Sequence, residues 1–158
     1  MSDAPIPPDR AAQLLDDILA SPPELAAVIE AQRAVIAAIT PDVLAAALAL
    51  PRRRLIGMGS SRFAALDAAS RWRLSGIDAA AETASASGAS RGGADTLALV
   101  ISSSGTTAES VAAARRHRLA GSLVIAMTSR PASPLEAEAD IVLPLRGAQA
   151  ESSGMATL

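Results

Sequence analysis

The 158-residue sequence contains no cysteine, no tyrosine and no lysine, and has one histidine, one phenylalanine and one tryptophan. Without cysteine there is no disulfide, thiolate nucleophile or iron–sulfur ligation, and the redox compartment stays open apart from a lean to the cytosol. A lone imidazole, His117, rules out a structural zinc site, because such sites gather several imidazoles or thiolates; no metal is expected. All 14 basic residues are arginine. A phosphate loop of the GxxxxGK[ST] kind needs its lysine, and imine chemistry, including that of pyridoxal phosphate, needs a lysine amine. The chain supplies neither alone, and no cofactor is expected.

Aromatic platforms for single-stranded nucleic acid are missing too, since Phe63 and Trp72 are the only aromatics. The arginines are scattered among 16 acidic residues for a net charge of −2, which leaves no concentrated basic face for a duplex. The longest apolar runs, Val43 to Leu50 and Leu119 to Met127, fall short of the roughly 20 residues a membrane helix needs. Met1 to Arg10 carries Asp3, Asp9 and three prolines ahead of any apolar run, the wrong order for a secretory signal. The expectation is a soluble cytoplasmic protein that binds neither nucleic acid nor membrane.

What is present is aliphatic: half the residues are hydrophobic and only 19% are charged, enough to build the core of one domain. From Ala11 to Leu50 the apolar spacing is helical, through Leu14, Leu15, Ile18, Leu25, Val28, Ile29, Val35, Ile36, Val43, Leu44 and Leu48. Pro22, Pro23 and Pro41 divide this stretch into two or three helices. Ser21 is placed to cap the second, with Pro22 in its first turn and Glu24 at its third position. After Pro51 short apolar runs alternate with helical segments. Strands are predicted at Leu55 to Gly57, Asp78 to Thr83, Leu97 to Ile101, Leu123 to Met127 and Ile141 to Leu143, and helices at Ser61 to Ser75 and Thr107 to Ala120. Ser85 to Asp95 reads as a loop. Such alternation predicts an α/β fold, an open doubly wound parallel sheet of about five strands flanked by helices, preceded by an N-terminal helical segment. The division falls at residues 1–50 for that segment and 51–158 for the sheet domain.

In such sheets ligands sit at the carboxyl ends of the strands. One strand ends in Ser102-Ser103-Ser104-Gly105-Thr106-Thr107 immediately before a helix, with Thr106 and Glu109 at capping-box spacing. Hydroxyls and unpaired amides around a helix N-terminus suit an anion such as phosphate. The alternative is a tight turn that caps the helix. Another strand ends in Gly57-Met58-Gly59-Ser60-Ser61-Arg62, also before a helix. Arg62 stands where a dinucleotide fingerprint needs its third glycine, although Asp78 and Glu82 lie near the distance of a ribose-binding acid. The better reading has Gly59 admitting a ligand to the backbone and Ser60 and Ser61 offering hydroxyls; a strand-to-helix turn with a serine cap is the alternative.

The pairing of Gly57-Met58-Gly59-Ser60-Ser61 with Ile101-Ser102-Ser103-Ser104-Gly105-Thr106-Thr107-Ala108-Glu109 resembles the sugar isomerase (SIS) domain family. It is most similar to the isomerase half of glucosamine-fructose-6-phosphate aminotransferase and its glutaminase-lacking relatives. Asp16 to Ala27 resembles the leading helix of that half, Glu82-Thr83-Ala84-Ser85 its second strand, and Ala150-Glu151-Ser152-Ser153-Gly154-Met155-Ala156-Thr157 the start of the helix after its fifth strand. The resemblance implies a hexose or amino-sugar phosphate as ligand. It assigns phosphate binding to Ser102, Ser103, Ser104 and Thr107, with the backbone amide in point at Ser103, where relatives often have glutamine. It assigns sugar contacts to Gly59, Ser60, Ser61, Gly154 and Ala156. Relatives commonly carry serine where Ala156 stands.

Isomerisation needs a base between neighbouring carbons, and Glu151 is the local candidate; a helix N-terminal acid that interacts with the dipole is its other reading. The family's isomerase half normally holds two SIS domains in tandem, with a catalytic glutamate, a ring-opening histidine and a lysine beyond the first. The expectation is therefore either an enzyme of the isomerase, aminotransferase or deaminase type completed by a second domain or a second copy, or a non-catalytic phosphosugar sensor. An apolar face left without its companion makes a homo-oligomer the expected assembly. His117, in Arg115-Arg116-His117-Arg118, reads as a water-facing residue in the last turn of a helix. Asp67 reads as a solvated helix position, and Asp140 as the start of a strand. Arg52 to Arg54 read as a solvated lead into the first strand.

Overall fold

The alternation after Pro51 resolves into a single five-stranded sheet in the computed structural model, which describes residues 8–86, 90 and 92–145. Helices α1 (Pro8–Ala38) and α2 (Pro41–Ala49) lead into β1 (Arg52–Gly57), α3 (Ser60–Leu74), β2 (Asp78–Thr83), β3 (Thr96–Ile101), α4 (Ala108–Leu119), β4 (Leu123–Thr128), a 3-10 turn (Glu136–Glu138) and β5 (Ile141–Pro144). All neighbouring strands are parallel, in the order β2-β1-β3-β4-β5. The helices cover the sheet from both sides, α3 on one face and α4 on the other. On one face Leu55, Ala79 and Ile101 pack with Ala65 and Ala69 of α3. On the other Ile56, Val100, Val124 and Ala126 pack with Ala113 and Ala114 of α4.

Alanine supplies much of the inner faces of α3 and α4, at Ala65, Ala69, Ala113 and Ala114, with Trp72 and His117 as the larger residues packed inward. Gly57 extends the same economy to the top of β1, where a Cβ would stand 2.7 to 2.9 Å from the Ser61 carbonyl group and the Arg62 nitrogen. No single described helix is long and apolar enough to cross a membrane.

Two sequence readings are corrected in the helical segment and one at α4. Of the three prolines, Pro41 divides the stretch as expected, at the start of α2, but Pro22 and Pro23 do not: α1 runs through them as one helix, and Ser21 lies inside it rather than capping a second helix. A mid-helix proline removes one backbone bond and crowds the preceding turn. On this outward-lying helix, where Ile18 is 55% exposed, water can take the carbonyls so released. His117 does not face water. It is fully buried on the inner face of α4, in line with Ser110, Ala113 and Ala114. Its Nδ1 lies 3.4 Å from Ser122 Oγ, which in turn accepts the Gly93 N–H at 3.0 Å.

The arginines of β1 are part of the strand, not a lead into it. Arg54 spans to Asp78 at 3.2 Å and Glu82 at 3.7 Å on the neighbouring strand, so the acids considered for a ribose already hold a guanidinium. Asp67 pairs with Arg71 one turn on, and Asp140 accepts the Val124 N–H. Glu138 ties the 3-10 turn to α4 through Arg115 at 2.7 Å and Arg118 at 3.5 Å. The Arg115 hydrogen bond holds its carboxyl below the usual range, against the opposing pull of burial.

Burial pushes the His117 imidazole below its ordinary value, with Arg116 and Arg54 pushing the same way and Glu82 opposing them. The native chain therefore binds fewer protons at this site than the unfolded chain, and stability is lost as pH falls from about 6.5 downward. With a single histidine in the sequence, the expected result is a lower melting temperature at pH 5.5 than at pH 7.5 by circular dichroism, with a flatter pH dependence in His117→Leu. Equal slopes in the two proteins would contradict the assignment.

Candidate functional site at the carboxyl edge of the sheet

The chain leaves β1 toward β2 on one side and then returns to β3 on the other, so the strand order reverses between β1 and β3. A crevice opens at such a point, outside the carboxyl ends of the two strands. The register pairs Gly57 with Ile101, so Met58 and Ser102 leave the sheet at the same height. The two loops singled out in the sequence are thereby brought side by side.

The first loop carries Gly59, Ser60 and Ser61. Gly59 is exposed, and a side chain there would meet nothing within 4 Å. Ser60 opens α3 half-buried, and Ser61 is buried behind it. Arg62 turns to the end of β2, where its Nε donates to Thr83 Oγ1 at 2.7 Å.

The second loop, Ser102 to Thr107, wraps the N-terminus of α4. Ser102 is buried, and its hydroxyl lies 3.5 Å from Thr107 Oγ1. Ser103 Oγ lies 3.4 Å from Ser129 Oγ, and Ser104 Oγ accepts from both the N–H and the hydroxyl of Thr106, at 3.3 and 3.0 Å. The predicted capping box does not form: α4 starts at Ala108 with Thr107 as its N-cap and no side-chain cap bond, because Thr106 is engaged by Ser104. The first amides of α4 are therefore left to a ligand or to water, beside a positive dipole end.

The sequence missed the support behind this loop. The Ser103 carbonyl accepts the Ser129 N–H at 2.9 Å and the Thr128 hydroxyl at 3.1 Å, while the Gly105 carbonyl accepts the Leu135 N–H at 3.0 Å. Ser133 is buried against Gly105, and among the described residues its hydroxyl has no partner. The run Thr128-Ser129-Arg130 at the end of β4 was the available signal, since the next parallel strand must end beside this loop. Glu151, Gly154 and Ala156 lie outside the described residues. Among the described residues no group of His, Cys, Asp and Glu is placed to hold a metal ion. A separate open groove of about 580 Å³ runs along the outer side of α4 by Arg115, Arg116 and Pro134, and shares only Thr106 with the serine loop.

Residues 51–158 match the SIS domain. The chain belongs to the SIS-domain family. A Bacillus subtilis crystal structure described as a candidate phosphosugar isomerase is 27% identical, with a TM-score of 0.55, over 71% of this chain and 37% of that one. The C-terminal domain of glucosamine-fructose-6-phosphate aminotransferase from Francisella tularensis is 20% identical, with a TM-score of 0.56, over 77% of this chain and 37% of that one. The Vibrio vulnificus NanR protein complexed with ManNAc-6P is 21% identical, with a TM-score of 0.56, over 77% of this chain and 48% of that one. This SIS chain thus spans well under half the length of the Bacillus protein. No curated protein sequence matches it.

Gly105 is the residue on which the serine loop turns. Its φ is +62°, and a Cβ there would fall 2.3 Å from Ser133 Oγ and 2.8 Å from Thr128 Oγ1. Gly105→Ala is expected to cost about 1–3 kcal/mol in strain and overpacking, read as a lower urea midpoint at unchanged m-value. Wild-type stability in that variant would mean that the loop adopts another conformation.

Proposed function

We propose that this chain binds a hexose or amino-sugar phosphate in the crevice between β1 and β3. The phosphate is held by the loop of Ser102, Ser103, Ser104 and Thr107 with the first amides of α4, and the sugar faces Gly59, Ser60 and Ser61. The supporting observation is the register that sets two hydroxyl-rich loops side by side at the strand-order reversal, one of them on a helix N-terminus. Family membership and the ManNAc-6P carried by the Vibrio relative point the same way. Three or four bonds to charged oxygens, at about 1.5–3 kcal/mol each, hold a phosphate without lysine at micromolar strength.

Binding comes first in this reading and turnover second. Among the described residues, Glu82 near the end of β2 is already paired with Arg54, while Glu109 stands exposed in the first turn of α4 beside the serine loop, so the crevice itself is built mainly of hydroxyls and amides. In the reading of residues 51–158 as the first of two SIS domains, after a helical segment at 1–50, catalytic groups come from a second domain or a second copy. Glu151 is then the local base, and Gly154 and Ala156 complete the sugar contacts. A cytoplasmic site of action fits a soluble sugar phosphate. A phosphosugar sensor is the second reading, supported by the likeness to the Vibrio NanR protein complexed with ManNAc-6P. Product from any hexose 6-phosphate would decide for the enzyme, and binding without product for the sensor.

The test is calorimetric titration with fructose 6-phosphate and glucosamine 6-phosphate. Wild type is expected to bind, and Ser104→Ala and Thr107→Ala to weaken binding at least tenfold, about 1.4 kcal/mol. No heat from either sugar with the folded protein would overturn the reading.

Assembly follows from α1. Leu15, Ile18, Leu25, Ile29 and Ile36 are 39 to 56% exposed. Their three-and-four spacing, interrupted at Pro22 and at Gln32, whose amide donates to the Pro144 carbonyl of β5 at 3.2 Å, resembles the seam of a helix that packs on another helix. A second copy is the proposed partner. Sedimentation is expected to give a dimer or larger species that shifts toward monomer in Leu25→Glu/Ile29→Glu; a wild-type monomer at micromolar concentration would count against it.

A further inference from the structure

The serine loop owes its backbone orientation to the strand beside it. Thr128 is 2% exposed at the end of β4, and its hydroxyl meets two groups: it accepts the Arg130 N–H at 3.3 Å and lies 3.1 Å from the Ser103 carbonyl. A hydroxyl has one proton, and a carbonyl can only accept, so that proton goes to Ser103. The Ser129 N–H donates to the same carbonyl at 2.9 Å. Both lone-pair directions of that oxygen are thus taken from the β4 side.

The described backbone holds no cis peptide. In a planar trans peptide the C=O and the following N–H point in opposite directions. Fixing the Ser103 carbonyl toward β4 therefore turns the Ser104 N–H away from β4. Because β4 and β1 flank β3 on opposite sides, that direction is the side of the crevice. The Ser104 N–H has no acceptor among the described residues. Two residues on, Leu135 holds the Gly105 carbonyl in the same manner, and the Thr106 N–H meets Ser104 Oγ.

We infer that Thr128 is a positioning residue for anion binding: its hydroxyl, behind the serine loop and out of reach of the ligand, clamps the Ser103 carbonyl so that the Ser104 amide faces the phosphate. This rests on the phosphosugar reading of the loop and adds a residue to it. The alternative role for a buried threonine is space-filling, and valine separates the two: it keeps the branched shape, while the clamp loses one of its two bonds. Ser129 retains the other, so the expected loss is partial.

The full chain is titrated with glucosamine 6-phosphate and, separately, with inorganic phosphate. Thr128→Val is expected to raise both dissociation constants about five- to tenfold, with the melting temperature followed in parallel, and Thr128→Ser, which keeps the hydroxyl, is expected to restore them to within about twofold. A folded Thr128→Val that binds like wild type would overturn the inference while leaving the phosphosugar reading intact; a wild type that binds neither ligand would overturn that reading itself. Amide NMR of the wild type supplies a measurement independent of any variant. The Ser104 N–H resonance is expected to move downfield on titration with inorganic phosphate, and no movement there alongside shifts at Thr107 and Ala108 would overturn the inference even if Thr128→Val failed to fold.

Discussion

The in-register pairing of β1 with β3 sets the height at which both loops leave the sheet, and the crevice depends on it. Gly57 lies beside Ile101. A slip of one residue would raise one loop by about 3.3 Å and turn every side chain of that strand to the opposite face. Such a slip is blocked by the two-sided core. Leu55 is committed to the α3 side and Ile56 to the α4 side, each essentially inaccessible to water. Burying those two neighbours on opposite faces locks the register, and the register in turn places the hydroxyls.

Small residues convert this register into a site. Ala65, Ala69, Ala113 and Ala114 are all fully buried against the sheet, and α3 and α4 begin within a few residues of the ends of β1 and β3. Gly57 is the extreme case, since even a methyl group would strike the first turn of α3. A core with bulkier helix faces would push the helices outward and carry the amide donors of α4 away from the crevice. The near-absence of aromatics leaves the inner faces of both helices largely to alanine.

Much of this was legible in the sequence, because branched aliphatic runs between helical spacings mark buried parallel strands. β2 falls at Asp78–Thr83 as predicted, and the other strands differ from expectation by one to three residues at their ends. β1 begins early because Arg52 to Arg54 looked solvated. Asp95 pairs with Arg52 and Asp78 and Glu82 with Arg54, while Arg53 donates to the Leu48 carbonyl and lies over the Trp72 ring, and such partners are invisible until the strands are aligned. His117 was misread because its charged neighbours suggested a surface. Its three-and-four spacing from Ser110, Ala113 and Ala114 was the contrary signal, and a helix shows water only one of its faces. The position of the serine loop at a strand end before a helix was legible in the sequence, whereas its contact with Thr128 was not, since Thr128 is 25 residues from Ser103 and meets it only through the β3–β4 pairing.

The hydrogen bonds within the loop bear on how it would hold an anion. Ser103 turns its hydroxyl to Ser129, Ser104 receives two bonds from Thr106, and Ser102 lies against Thr107. For a hydroxyl that already has a partner, contact with phosphate exchanges one bond for another and gains little beyond the charge-assisted difference. An amide such as that of Ser104, with water as its only alternative, makes no such exchange within the protein. The backbone donors, turned by the clamp behind them and aided by the α4 dipole, therefore carry most of the anion affinity in this reading. The hydroxyls act by holding the loop, and with it those amides, in one conformation, which is why losing the hydroxyl of Ser104 or Thr107 is still expected to weaken binding. That division explains how a loop built almost wholly of serine and threonine can serve a phosphate without a single lysine in the chain.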